Sequence, residues 1–164
     1  PEFYKQFLDY EYILICQLDA ILIKNVKSLA LLGYEYIGSV WENGYRVSKF
    51  RHLLVINNRM NSFLKSEKIY VGNGGLSLRR VETMISLTSE IESIYPNLKY
   101  KFPEDVLISY FGKKKGMKIP EYTSAENIFR EKTATGITVI PDIFGFHALN
   151  KYNPFLEKEI FNVY

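Results

Sequence analysis

Cysteine is nearly absent. The one thiol among 164 residues is Cys16, so no internal disulfide can form and nothing points to an oxidising compartment. It sits in the apolar run YILIC and reads as a small core residue. A catalytic thiol would want an exposed setting with a histidine nearby. There are only two histidines, His52 and His147, and one tryptophan, Trp41. No apolar run is long enough for a membrane span, and no signal segment is visible. The expectation is a cytoplasmic chain with no transmembrane segment, with peripheral membrane contact left open. The net charge of +3 is too weak a bias to argue for a nucleic-acid partner. The one basic run, lysines 113–115 between Gly112 and Gly116, reads as a solvated loop. Repeats, low-complexity stretches and long linkers are all missing.

What the chain has is enough apolar material for one core. It is 47% hydrophobic and 24% charged, the balance of a globular rather than a disordered chain. Its length fits a single domain over 1–164. Tyrosines number 13 and phenylalanines 11. Aromatic rings suit sugar binding, but cores use them too. The chain starts at Pro1 rather than Met, so an N-terminal truncation is expected.

Helical and strand patterns alternate, which favours a layered α/β arrangement. Residues 2–9 (EFYKQFLD) read as a short helix. Tyr12–Cys16 reads as a strand buried on both faces, and it stops at polar Gln17 and Asp19. Residues 25–32 look helical and end at Gly33. A short strand is expected over 34–37, then an irregular stretch over 39–61 containing Trp41. Within it, 50–56 fits helix or strand equally. Two short strands, 69–71 and 76–78, flank a glycine cluster. The clearest helix is 80–95, with Val81, Met84, Ile85, Thr88, Ile91 and Tyr95 on one face. Pro103 opens another helix that Gly112 closes, and 124–131 is a candidate third.

Four features are candidates for chemistry, each with a plainer reading. Gln17-Leu18-Asp19 ends a strand, where a carboxylate can hold a hard divalent cation; a turn or cap role fits as well. Gly72-Asn73-Gly74-Gly75 contains Asn-Gly, a strong hairpin signal. Gly72 and Gly75 are surplus to a turn and would let a ligand approach the backbone. Glu104-Asp105 follows Pro103, where the helix dipole favours acids; the functional reading is a general base at a helix start. His147 lies in an aromatic-rich segment, as packed histidines do, yet it can complete a metal site with a carboxylate.

In order, YEYILICQLDAILI, YEYIGSVW, VGNGGLSLRR, PEDV and IFGFHALNKY resemble a bacterial and fungal domain family long catalogued as of unknown function. That family is itself similar to GT-A glycosyltransferases. The resemblance covers nearly the whole chain and rests on the order of five blocks. It implies a GT-A-like, nucleotide-diphospho-sugar transferase fold, a mixed-sheet α/β sandwich. GT-A enzymes usually carry a nucleotide-binding βαβ region before the metal motif, whereas 16 residues precede Gln17 here, so part of that region is expected to be missing. The resemblance also implies roles. Asp19 matches the last acid of the Asp-x-Asp metal motif, with Gln17 where the first Asp usually stands. His147 matches a late histidine that completes the metal site for Mn²⁺ or Mg²⁺. Residues 72–75 match the glycine-rich loop beside the donor sugar and acceptor. Glu104 and Asp105 match the acidic pair below the acceptor, with Asp105 as base in an inverting enzyme. Trp41 looks like a sugar-facing aromatic, and Arg79 is a phosphate candidate. The partners implied are a nucleotide-sugar donor and a glycan acceptor. The alternative is a non-catalytic carbohydrate- or nucleotide-binding module on the same scaffold.

Overall fold

The computed structural model describes residues 1–50, 53–56, 66–96 and 102–163, with only the backbone at 48–50, 53–56, 66 and 163. His52 lies outside the described residues. The elements, in order, are α1 (Glu2–Lys5), β1 (Tyr12–Cys16), β2 (Ala20–Leu22), α2 (Lys27–Ala30), β3 (Tyr36–Phe50), β4 (Leu53–Ile56) and β5 (Ser66–Arg80). Then come α3 (Val81–Ile94), α4 (Glu104–Lys114), α5 (Tyr122–Glu126), β6 (Phe129–Arg130), a 3-10 turn (Lys132–Ala134), β7 (Gly145–His147), α6 (Leu149–Tyr152) and α7 (Pro154–Val163). The chain is a mixed α/β protein with two small sheets, ordered β1-β5-β3-β4 and β2-β7-β6. The first is antiparallel throughout, and the second pairs β6 with β7 in parallel. Among the described residues no helix is long and apolar enough to cross a membrane.

Alternation along β5 explains the layering. Leu76 and Leu78 pack with Leu29, Ile37, Ile128 and Phe129, towards α2 and β6. On the opposite side Tyr4, Tyr36, Met84, Leu87 and Ile108 join α1, α3 and α4 to the sheet. A third cluster, with Phe146, Leu149, Leu156 and Ile160, seats α6 and α7 on β7. Side chains this size contribute about 1.5–3 kcal/mol each when fully buried.

Several expectations need correcting. Among the described residues strand β1 is an edge strand, paired only with β5 and half-buried, and Cys16 at its end is exposed rather than in the core. A continuous apolar run cannot tell an edge strand from a central one. On α3 the buried residues are Val81, Met84 and Leu87. Leu87 is the buried residue missing from the face expected from the sequence, while Thr88 on that face is half-buried and donates its hydroxyl to the Met84 carbonyl at 2.6 Å. Gly112 does not close α4, which runs two residues further; Gly116, at φ +76°, follows its end. Lysines 113 and 114 are therefore the last turn of a helix, where their charge complements the negative end of its dipole. Residues 124–131 split between α5 and β6.

The largest correction concerns the glycine cluster. Asn73-Gly74 is no hairpin, and the chain runs straight through it as one strand, β5. Likewise 39–50 is not irregular but part of β3. Both strands carry bulges that break the alternation in sequence. Gly38 pairs with Ser77 but Ser39 with Asn73, leaving 74–76 without β3 partners. Further along, Val40 pairs with Val71 and Tyr45 with Ile69, so residues 41–44 face only Tyr70. Bulges of this kind bend strands and re-aim side chains.

Gly72 shows why the strand needs glycine here. Its φ is +140°, and a Cβ would overlap the Ser109 hydroxyl on α4. The Tyr36 hydroxyl donates to the Gly72 carbonyl at 2.5 Å. Gly72→Ala should therefore lower unfolding stability by roughly 2–5 kcal/mol, combining backbone strain and overpacking. Adding Ser109→Ala should recover only the packing share. Urea denaturation of the two variants measures this, and full recovery would show that the backbone is not strained.

Candidate functional site

The two bulges lie beside the places where the candidate residues meet. The tight turn after β1 carries Gln17 and Asp19, anchored when the Gln17 amide donates to the Gly75 carbonyl at 2.9 Å. From the other side, the Ala148 amide donates to the Asp19 carbonyl at 2.9 Å. Strand β7 ends there with His147, buried at 8% exposure. Its Nε2 lies 3.1 Å from Gln17 Oε1 and 3.4 Å from Asp19 Oδ1. The ring occupies the space a Cβ on Gly75 would take. Gly75 is thus glycine for His147, and Gly72 for Ser109; both glycines make room first for the protein's own side chains.

Asp105 approaches from α4. Its Oδ2 accepts the Gly74 amide at 3.1 Å, and its Oδ1 accepts its neighbour Val106's amide at 2.8 Å. Burial raises its pKa above the usual 3.8, against the lowering pull of those amides and of Arg79. A carboxylate so placed is a stronger base than one in water.

Glu104 and Arg79 turn out to be partners of each other. The Arg79 side chain is 3% exposed. Its Nη1 donates to the Tyr4 hydroxyl and to Glu104 Oε1, the latter at 3.1 Å, and its Nε donates to Ser77 Oγ at 2.9 Å. The Tyr4 hydroxyl also donates to Glu104 Oε1, at 2.6 Å. The guanidinium lies 5.5 Å from the Tyr36 ring centre, within cation–π range. Gln17, residues 73–75, Arg79, Glu104 and Asp105 line one open cleft of about 610 Å³. Trp41 is not among them. It lines a second cavity of about 210 Å³, which meets the first at Asn73.

Glu131, just after β6, is the residue that sequence reading missed. Its Oε2 accepts from Asn73 Nδ2 at 2.6 Å, and its Oε1 lies 3.5 Å from His147 Nδ1. Among the described residues the buried Nδ1 has no hydrogen-bond partner, so Glu131, 3.5 Å away, answers it as a charge rather than as an acceptor. Set between Arg130 and Lys132, this acid looks like part of a solvated charged stretch; no local signal marks it. Burial pushes the His147 pKa down, but Glu131, Asp19 and Asp105 outweigh it and leave it above 6.5.

Among the described residues no three His, Cys, Asp or Glu side chains converge as a metal-binding group. His147 Nε2, Asp19 Oδ1 and the Gln17 carbonyl do converge. One imidazole nitrogen with two oxygens suits Mn²⁺ or Mg²⁺ less tightly than a full acidic set, and it remains a chemically consistent donor group. Glu131 stands 3.5 Å behind Nδ1 as a charge, without the donated hydrogen bond that usually orients a ligating histidine.

A raised histidine pKa contributes stability that is complete below the unfolded value and lost as pH rises through the folded one. Glu131→Gln keeps an acceptor for Asn73 and removes the charge. In metal-free protein it should lower the His147 pKa, read by NMR of the imidazole nitrogens. The stability gap from the wild type should be larger near about pH 6 than near about pH 9. An unchanged titration would mean Glu131 does not govern the ring.

No curated protein and no solved structure matches the chain. One family does, described as proteins of unknown function (DUF5672), and the match spans residues 1–156. Gln17, Asp19, residues 72–75, Glu104, Asp105, Glu131 and His147 all fall within that span, and with nearly its whole length matched the chain belongs to this family.

Proposed function

We propose that the chain is a metal-dependent glycosyltransferase domain of GT-A type, moving a sugar from a nucleotide-sugar donor to a hydroxyl of a glycan acceptor. The observation that carries this is the meeting of four sequence-distant groups around one bulged strand. Gln17 with Asp19, residues 73–75, Asp105 and His147 converge although they span 130 residues between Gln17 and His147. That convergence supports the order-of-blocks resemblance to sugar-nucleotide transferases.

The division of labour follows from the contacts. Asp105 stands on the cleft wall as the base that takes a proton from the acceptor hydroxyl, its raised pKa favouring proton uptake. Direct in-line attack with such a base inverts the anomeric centre. Gly74 and the Asn73 side chain hold the strand open beside it, through Asp105 and Glu131 respectively. Asp19, His147 and Gln17 would hold Mn²⁺ or Mg²⁺, which when bound supplies positive charge to a diphosphate leaving group. Arg79 is committed to Tyr4, Ser77 and Glu104, so it shapes the wall of the cleft more than it reaches out for phosphate.

A second reading is a sugar- or nucleotide-binding module without turnover. It is favoured by both Asp105 oxygens already accepting backbone amides, and by an amide, Gln17, at the metal corner. Incubating the protein with a panel of nucleoside-diphosphate sugars and Mn²⁺, with released nucleoside diphosphate as readout, separates the two. Turnover should fall by about 10²–10⁴-fold in Asp105→Asn while calorimetric binding of nucleoside diphosphate with Mn²⁺ persists. Donor binding without release, or release untouched by Asp105→Asn, would favour the binding module or remove Asp105 from the chemistry.

A further inference from the structure

The second cavity is built on the β3 bulge. With residues 41–44 facing only Tyr70, the strand arches away from its neighbour. The space beneath is lined by Trp41, Tyr45 and Tyr152, with Glu42, Asn43 and Glu131 as polar groups. Trp41 and Tyr45 meet edge to face, ring centres 4.7 Å apart at 74°. Both pack against the cluster of Val47, Ile69, Val106 and Leu107, so this aromatic wall is backed by core rather than solvent. Glu42 is held by Lys132 at 2.9 Å, across the cavity lining. Asn73 belongs to both cavities, and Glu131 Oε2 accepts its amide. Gly74, the residue after Asn73, donates its amide to Asp105 Oδ2 at 3.1 Å, so this cavity ends one residue along β5 from the base.

Rigid rings beside carboxylate and amide groups form a surface suited to a saccharide. The rings take the apolar C–H face of a pyranose, and the polar groups take its hydroxyls. A volume of about 210 Å³ lies below the roughly 300 Å³ at which drug-sized pockets begin. It suits one ring rather than an oligosaccharide or a nucleotide. We propose that this cavity is a saccharide subsite, holding one pyranose of the acceptor so that its neighbouring hydroxyl reaches the Asp105 side of Asn73. Its role as acceptor subsite rests on the transferase reading above; its ability to bind a sugar does not.

The only tryptophan of the chain lines this cavity, so intrinsic tryptophan emission reports on it directly. Titration with a panel of methyl glycosides (glucoside, galactoside, mannoside and N-acetylglucosaminide, both anomers) should give a saturable emission change for at least one, in the millimolar range. Tyr152→Ala and Glu42→Gln each keep Trp41 and should weaken that titration roughly tenfold. Nucleoside diphosphate binding with Mn²⁺, followed by calorimetry, should stay unchanged in both. If no glycoside changes the emission while nucleoside diphosphate binds, the subsite is overturned and the transferase reading survives. If a glycoside binds but no nucleoside diphosphate does, the subsite stands and the transferase reading falls. An emission change that neither variant weakens would place the sugar elsewhere and overturn the proposal.

Discussion

A buried guanidinium organises this molecule. Arg79 sits in the central strand at 3% exposure, and an uncompensated charge there would cost several kcal/mol. The fold answers it from four directions: Tyr4 from α1, Glu104 from α4, Ser77 from its own strand and the face of Tyr36 from β3. Each answer fixes the element that gives it. Helix α4 in particular is held with its first turn against β5, which is why Asp105, one residue on from Glu104, meets the Gly74 amide. The acidic pair thus divides its work. Glu104 fastens the helix, and Asp105 faces the cleft as the group whose charge is strained by burial.

The register between β3 and β5 is the second organising feature. Extra residues on β5 open the strand at 74–76, and extra residues on β3 open it at 41–44. The first opening admits the Asp105 carboxylate to a backbone amide and lies beside the His147 ring. The second creates the aromatic cavity. Between them stands Asn73, tied to Glu131, which in turn faces His147. Hydrogen bonds and charge contacts therefore link the two cavities through a short polar path. Proximity of the Asp19–His147 corner, the Asp105 wall and the Trp41 cavity is a consequence of two bulges in adjacent strands, not of any one motif.

Local chemistry made part of this legible in the sequence. Periodicity located α3, and Pro103 with two acids located the start of α4, because caps and dipoles act within one turn. The apolar run at Tyr12–Cys16 marked a strand, and the polar residues after it marked its end. Glycine excess at 72–75 marked a crowded backbone. What crowds it was not visible, since Ser109 lies 37 residues beyond Gly72 and His147 lies 72 beyond Gly75. The hairpin reading of Asn73-Gly74 failed for the same reason. A local turn preference lost to pairing with β1 and β3, whose partners come from elsewhere in the chain.

Residue types and their spacing thus determined which side chains were available for chemistry: an acid after a strand, an acidic pair at a helix start, a late histidine and one tryptophan. Whether β1 lies at the edge or the centre, whether Arg79 is buried or solvated, and which acid stands behind His147 were decided by long-range packing. Glu131 is the clearest case. Between an arginine and a lysine its sequence setting is that of a surface charge, and burial beside an imidazole gives it a different role. Charge in a protein acts over a few ångströms of space, and the chain's own order records no such distance.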